Sequence, residues 1–526
     1  MSSEQMIYTA PEKLSIRKLG AQLSDELKIN IEADDNVSRI YFDTFDWRLF
    51  KSGMVLEAEI HGALCLLTWR ELGSGRIFNR RTHRKLPKTA ADFSDAGMLP
   101  NLKQILGRRT LLAHVSLNGT VQRLLLLNED EKTLMRIELR RDHVVSPINH
   151  NQLSLEPTLY VFPYRGYEKI FSDGMRRLAE DERFSPIATD PLNSALNAIG
   201  VIPGEYSSSP DFSLDARQPA MRALVEILQR FLQIIESNVK GAREDEDPEY
   251  LHDFLAAVRR TRSFIHQFAA VFPSKSLKFI EEDFNWIEQE ATPIRDLDIY
   301  MNLFDDFESR VDRDHRQALQ SLYLFLQNQK QQELRRMRIS LESTRYFRLI
   351  ESWAHFLAEC KDANSLSAAA RAPIGVMARD SIWNIYGELL QTATNISSEA
   401  RADELCELHQ LSKLLEYHMD VFKSLFPAKR MARLLAEHDG LQCCLNQFRD
   451  LNLQYSRLKR YKAKMGQAQA VRAISMEAVE QLILDREQEK QKARKQVVAQ
   501  IKRFTKKKMR KRFKSILTAS IEGCDE

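Results

Sequence analysis

Residues 251–273 read LHDFLAAVRRTRSFIHQFAAVFP, and the spacing within this stretch decides how most of the chain is built. Glu246 and Asp247 precede Pro248, a proline well placed for the first turn of a helix. At 3.6 residues per turn, His252, Arg259, Arg262 and His266 share one face, with Arg260 at its edge. Leu251, Phe254, Val258, Ile265, Phe268 and Phe272 take roughly the opposite face. One side is therefore made for a helical core, and the other lines up guanidinium and imidazole groups. Such a line suits a chain of phosphates, because each arginine presents a planar fork of donors that stays charged. A solvated charged face has the same periodicity, and spacing alone does not separate the two readings.

Working outward, the same phrase returns. LCELHQLSKLLEYHMDVFKSLFP at residues 405–427 echoes the first stretch. Each is followed by a helix ending in a similar acidic phrase, IRDLDIY at 294–300 and FRDLNLQ at 448–454. A duplicated helical unit is the simplest account. Amphipathic stripes run from Met221, Leu224, Val225, Leu228, Phe231, Leu232 and Ile235 almost to the C-terminus, with breaks near Glu244–Pro248, Phe272–Ser274, Asn364–Leu366, Asn395–Glu399 and Phe426–Ala428. Eight or nine helices are expected, enough for two antiparallel four-helix bundles.

Upstream the pattern changes. VIPGEYSSSPDFS (residues 201–213) has the composition of a linker. Before it, VSRIYFDT, GMVLEAEI, ALCLLTWRE, TVQRLLLL, TLMRIELRR and TLYVFPYRGYE alternate as strands do. Helices are expected at Ser15–Lys28, Ala90–Leu106 and Tyr167–Ala179, giving an antiparallel α+β domain. The domains predicted are 1–200, a linker at 201–213, a helical domain at 214–517 and a tail at 518–526.

Composition excludes several classes. The chain of 526 residues is 43% hydrophobic and 29% charged, with only 18 glycines and 16 prolines, which fits a folded, helix-rich protein. Net charge is only +4, so basic runs such as 76–88, 335–348 and 490–514 suggest a shaped anion site more than a diffuse polycation. Six cysteines lack metal-ligand spacing, and Cys443 and Cys444 are adjacent. No signal peptide and no apolar run of membrane length is visible, so a reducing cytoplasm is expected. There is no glycine-rich phosphate loop, HExxH motif or nucleophile elbow, and His61, His83, His143, His315 and His438 read as ordinary surface or core residues. No metal and no cofactor is expected.

The 251–273 helix resembles the signature helix of the CHAD family, the conserved histidine α-helical domain, whose phrase is close to His-x-x-Arg-x-x-x-Arg-Arg-x-Arg. His252, Arg259, Arg260 and Arg262 match it, and Leu255 stands in for the first arginine, inside the basic stripe. Arg295, Asp296 and Asp298 match the family's Arg-Asp-Leu-Asp motif. The second signature, His-x-x-Arg-x-x-x-Lys-x-x-Arg-Tyr, meets Cys406, His409, Lys413, Glu416 and Tyr417, so only the lysine and tyrosine are kept. Cys406 and Glu416 remove hydrogen-bonding or positive groups, and Glu416 adds repulsion. The resemblance covers roughly residues 215–517. It implies two pseudo-symmetric four-helix bundles with a basic groove between them, binding inorganic polyphosphate, often at polyphosphate granules.

IYFDTFDWRLFKSGMVLEAEI, LLTWRE and PYRGYEKI resemble the CYTH family, the triphosphate tunnel fold, which implies an antiparallel barrel. That family's Glu-x-Glu-x-Lys strand has no counterpart, since no carboxylate falls between Met6 and Ala10. Glu57 and Glu59 replace a phosphate-holding Arg-x-Arg. Arg70, Arg81 and Arg123 are the candidate tunnel contacts with an anion. Glu57, Glu59 and Glu138 could form a metal set, but solvent-facing positions on a half-buried strand are the favoured reading. Triphosphatase activity is not expected.

The stretch Lys490–Lys514 holds thirteen Lys and Arg and no acid. A nucleic-acid patch, a membrane-surface helix and the closing helix of the polyphosphate site all fit this run. The CHAD resemblance implies that the final helix returns to the groove, which makes Lys502, Arg503, Lys506, Lys507, Arg510 and Lys511 candidate contacts. The site predicted is thus His252, Arg259, Arg260, Arg262, His266, Arg295, His409, Lys413, Tyr417 and these six. Two alternatives stand beside a non-catalytic polyphosphate binder. One is a triphosphate hydrolase with a rebuilt metal site, and the other a helical adaptor for protein or nucleic acid. No membrane partner is expected, and the sequence does not give the oligomeric state.

Overall fold

The computed structural model describes all residues except 1–5, 24–26, 63, 94–98, 146–151, 188, 312, 363–366, 398–399, 468–472 and 523–526. Cys524 and the break expected at Asn364–Leu366 lie outside the described residues. The chain divides into two units, Met1–Ser207 and Ser208–Glu526.

The first unit is one antiparallel sheet. Its strands are β1 (Met6–Thr9), β2 (Lys28–Ile31), β3 (Asp35–Thr44), β4 (Met54–His61) and β5 (Leu64–Glu71). They continue with β6 (Ile77–His83), β7 (Leu111–Leu127), β8 (Thr133–Val145), β9 (Gln152–Ser154) and β10 (Thr158–Pro163). The path runs β1-β10-β8-β7-β3-β4-β5-β6, with β2 on β7 and β9 on β8. It forms a half-barrel, because β1 and β6 end the path without pairing to each other while both border the same cavity. Five helices accompany it: α1 (Ile16–Leu23), α2 (Arg48–Lys51), α3 (Leu99–Leu106), α4 (Glu168–Ala179) and α5 (Pro191–Ala198). Two expected helices are shorter than their patterns. Lys28 already belongs to β2, and Ala90–Asp92 is a separate 3-10 turn before α3.

Strand alternation divides the side chains between two faces. Leu124, Leu126, Ile137, Leu139, Leu159 and Val161 pack outward against Leu19 and Leu23 of α1 and Leu178 of α4. Leu56, Ala58 and Leu67 pack against Leu102 and Leu106 of α3. The inner face carries arginines, carboxylates and tyrosines around the cavity, and Val55, Val115, Leu117 and Val144 that pack on Leu192 and Leu196 of α5.

The second unit is helical: α6 (Ala220–Glu244), α7 (Pro248–Gln267), α8 (Ser274–Asn302), α9 (Phe304–Ser309), α10 (Arg313–Leu341) and α11 (Thr344–Asp362). It continues with α12 (Ala368–Arg371), α13 (Ile374–Asn395), α14 (Ala402–Phe422), α15 (Ala428–Gln467), α16 (Ala473–Phe504) and α17 (Lys507–Glu522). Asp247 caps α7 by accepting from the backbone N–H groups of Glu249 and Tyr250, and Pro248 follows as its first residue. Helices α6, α7, α8 and α11 pack as one group, and α13, α14, α15 and α17 as another. Leu297 and Tyr300 at the end of α8, Leu322 and Leu326 of α10, Leu458 of α15 and Leu482 of α16 share one further core, to which both halves contribute. Among the described residues no helix is long and apolar enough to cross a membrane.

The two halves are in register. Pro219 bridges Pro373 directly. The spacing from Pro219 to Pro373 also takes Leu251 to Leu405, Pro273 to Pro427 and Arg295 to Arg449. No insertion or deletion interrupts the pairing of α6, α7 and α8 with α13, α14 and α15.

Candidate functional site

The inner face of the sheet encloses about 190 Å3, lined by Glu57, Glu59, Arg70, Arg80, Arg140 and Tyr160 among others. Its arginines are matched by carboxylates. Arg70 meets Asp190 through two nitrogens at 2.5 and 2.9 Å and reaches Glu57 at 3.2 Å. Burial would raise the Asp190 carboxyl, but the Arg70 contact outweighs it and the pKa falls below the usual range. Glu138 accepts from Arg140 at 2.6 Å and has Arg123 and Arg136 each at 3.5 Å. Burial opposes its charge, but Arg140, Arg136 and Arg123 prevail and hold its pKa down to about 2.

Three expectations change here. Arg81 pairs with Leu67, whose side chain packs into the outer core, whereas its neighbour Arg80 pairs with Thr68 and lines the cavity. Strand parity therefore sends Arg80 inward in place of Arg81. Arg123 is held by Asp35 at 3.2 Å as well as by Glu138. Glu57 and Glu59 border the cavity and do not simply face solvent, because Leu56 and Ala58 take the outer face between them. Among the described residues no three His, Cys, Asp or Glu side chains gather as a metal set.

In the helical unit, Arg259 and Arg262 project from α7 onto one carboxylate of α8. Arg259 Nε donates to Glu288 Oε1 at 2.8 Å, and its terminal nitrogen donates to the Thr292 hydroxyl at 3.2 Å. Arg262 pairs with the second oxygen of Glu288, while its own Nε is buried without a partner. Arg260 leaves this line. It donates to the Ser208 carbonyl at 2.7 Å and lies over the Tyr417 ring, so both residues serve a separate contact. His252 is exposed on α7. His266 is 80% exposed, 3.5 Å from Glu281. Leu255 is 1% exposed and belongs to the core, because the α7 face carrying it is turned inward.

The second repeat brings α14 and α15. His409 is buried, with Nε2 2.8 Å from Asn446 Oδ1. Burial above all, then the charges of Arg449, Lys413 and Arg259, push its pKa down to about 4 against the pull of the Asn446 bond. Charges on α15, α14 and α7 thus all act on one imidazole. Lys413 also pairs with Glu416 at 2.7 Å. Arg449 Nε donates to Asp450 at 3.2 Å, and burial raises the Asp450 carboxyl while Arg449 and Arg295 of α8 act the other way. Arg295 and Arg449 therefore address the same carboxylate from the two repeats.

Behind His409 runs a buried polar chain. Gln442 Nε2 donates to Asn446 at 3.2 Å, Ser412 donates to Gln442, and Ser412 lies 3.0 Å from His438 Nε2. Burial first, and Lys413 second, bring His438 down to about 4. Burial alone takes His418, 2.8 Å from the Ser381 hydroxyl, to about 3.

The terminal basic run is not one helix. It breaks after Phe504, and α17 starts at Lys507, which places Phe513 flat on Tyr386 at 3.7 Å with Phe504 edge-on to the same ring. Lys490 lies outside the exposed run, since it is buried over the Tyr455 ring and bonded to Glu487. Lys502, Arg503, Lys506, Lys507, Arg510 and Lys511 are all exposed. Of these six, Arg510 places its charge near the Tyr386 hydroxyl, and Phe504 between them meets the His438 ring edge-on.

Sequence reasoning missed Glu288, Thr292, Gln442, Asn446 and Arg449 as members of the cluster. The repeat itself carried the signal, since the register that pairs Arg259 with Lys413 also pairs Glu288 with Gln442, Thr292 with Asn446 and Arg295 with Arg449.

No curated protein matches the chain. Solved structures with similarity to it include the CHAD domain from the plant Ricinus communis, at 23% identity and a TM-score of 0.47, spanning 56% of this chain and 95% of that one. PptA from Streptomyces chartreusis matches at 14% identity and a TM-score of 0.40, over 54% of this chain and 99% of its own. HpAC1 from Hippeastrum, described as having a dominant triphosphatase activity, matches at 13% identity and a TM-score of 0.25, over 39% of this chain and 100% of its own. The family model of the CHAD domain matches residues 226–459, which lie within the helical unit.

Proposed function

We propose that the helical unit binds inorganic polyphosphate, without breaking it down, at the cluster where the two repeats meet. The observations that carry this reading are the Arg259 and Arg262 guanidinium groups set side by side on Glu288, and the charges of Arg449, Lys413 and Arg259, from three helices, acting on His409. A linked row of phosphates meets several cations at once, and each contact raises the effective concentration of the next. The CHAD resemblance points to the same ligand. Arg295 extends the row along α8, and polyphosphate granules in the cytoplasm are the proposed location.

The sheet unit supports the non-catalytic part. Arg70 and Arg140 already face carboxylates, and Glu57 and Glu59 would repel a triphosphate entering the cavity. The exposed lysines of α16 and α17 favour nucleic acid as a second reading, because a backbone of phosphates needs no shaped pocket.

The test is a titration of the full chain with polyphosphate beside duplex DNA at equal charge, at several salt concentrations. Preferential, salt-sensitive binding of polyphosphate that weakens in Arg449→Ala is expected. Equal competition by DNA would favour the second reading. Magnesium-dependent phosphate release from tripolyphosphate, abolished by Glu57→Gln, would overturn the non-catalytic reading.

A further inference from the structure

We propose that Glu288 is a built-in competitor for the polyanion, its carboxylate occupying the seat between Arg259 and Arg262 that a phosphate group would otherwise take. The proposal rests on the polyphosphate reading of this cluster and adds the residue that limits its affinity.

Both oxygens of Glu288 are engaged, one by Arg259 at 2.8 Å and the other by Arg262. This is the fork-to-anion geometry that a phosphate oxygen pair also satisfies. The seat is open to solvent, since the Arg259 and Arg262 side chains are 35% and 30% exposed while Glu288 is 18% exposed. An incoming phosphate can therefore reach the guanidinium groups from outside as the carboxylate swings away on its flexible stem.

The second repeat lacks this device. Gln442 stands where Glu288 stands in the first, and it is engaged with Ser412 and Asn446. Lys413 and Arg449 meet carboxylates of their own, Glu416 and Asp450, at the edges of the cluster. The Arg259–Arg262 pair is bridged by a single acid that gives one oxygen to each guanidinium. A lone weak anion must displace that acid without help, whereas a linked chain anchored on Lys413 and Arg449 displaces it at high effective concentration. Glu288 thereby sets the cluster against orthophosphate and in favour of long chains.

The experiment compares wild type with Glu288→Gln, using orthophosphate and long-chain polyphosphate as the probes. The variant is expected to bind polyphosphate roughly tenfold more tightly, since the two guanidinium groups lose their internal counter-charge and one of its two acceptor oxygens. Its affinity should also fall more steeply with salt, by about one to two additional counterions. Glu288→Asp keeps the charge and the fold but draws the carboxylate back, so a smaller gain in the same direction is expected if Glu288→Gln does not fold. Wild-type affinity in both folded variants would overturn the competitor while leaving the site intact. Failure of wild type and variants alike to bind polyphosphate would instead overturn the reading of the site itself.

Discussion

Phe264, Phe284 and Leu255 of the first repeat stand where His418, His438 and His409 stand in the second, and all six are buried. Val258 and Ile227 likewise answer to Ser412 and Ser381. The helices pair without a gap, yet one half closes its core with apolar side chains and the other with a hydrogen-bonded chain of imidazole, amide and hydroxyl groups. The first repeat puts its polar chemistry outside that core, as Arg259, Arg262 and Glu288. One backbone plan therefore tolerates either solution, with most buried polar groups of the second paired and His418 Nε2 buried without a partner. Where the two faces meet, the charge of Arg259 from the apolar repeat acts on His409 of the polar one.

The largest effect is expected where the repeats share a core. Leu458→Ala opens a cavity among side chains from both halves and should cost about 2–5 kcal/mol. Denaturant unfolding of the helical unit should shift as one transition. Two separated transitions would mean that the halves are independent.

Acid should separate the repeats next. His409, His418 and His438 have folded-state pKa values of about 4, 3 and 4, below the unfolded value. Between the unfolded value of about 6.5 and these folded values the unfolded chain binds more protons. Stability attached to these groups is therefore full above about pH 6.5 and is lost as pH falls toward 4. Each unit of depression corresponds to about 1.4 kcal/mol at most. His418→Phe, which installs the first repeat's residue, should shrink the acid-induced loss, read by urea melts at pH 7 and 5. An unchanged loss would remove His418 from the acid response.

Ligand binding gives a third, smaller effect. A polyanion beside His409 favours its imidazolium, so polyphosphate binding at pH 5 should take up protons and binding at pH 8 should not. Calorimetry in two buffers of different ionisation enthalpy measures this directly, and equal proton uptake at both values would exclude His409. His266→Ala should change little, within about 0.5 kcal/mol in stability, because the ring is exposed and 3.5 Å from its acid. A large loss of affinity in that variant would place the ligand further along α7 than the cluster reaches.

The sequence made the helix period, the cap at Asp247 and the repeat readable because each is local or self-similar. Arg259 and Lys413 could be placed on equivalent faces for the same reason. Partner choice was not readable. Three arginines lie within four residues of α7, and only the position of α8 decides that Arg259 and Arg262 turn to Glu288 while Arg260 turns to Ser208. Arg80 and Arg81 are adjacent, and strand pairing decides which enters the cavity. The kink after Phe504 follows from Tyr386, more than a hundred residues away, receiving both Phe504 and Phe513. Charge runs described composition well and geometry poorly.

The most direct measurement is the affinity of the full chain for polyphosphates of graded length, repeated with Arg259→Ala and with Arg449→Ala. If one chain spans both repeats, wild-type affinity climbs with length, and each single substitution, one per repeat, flattens the climb. Affinity independent of length, or unmoved by either substitution, would contradict a shared site.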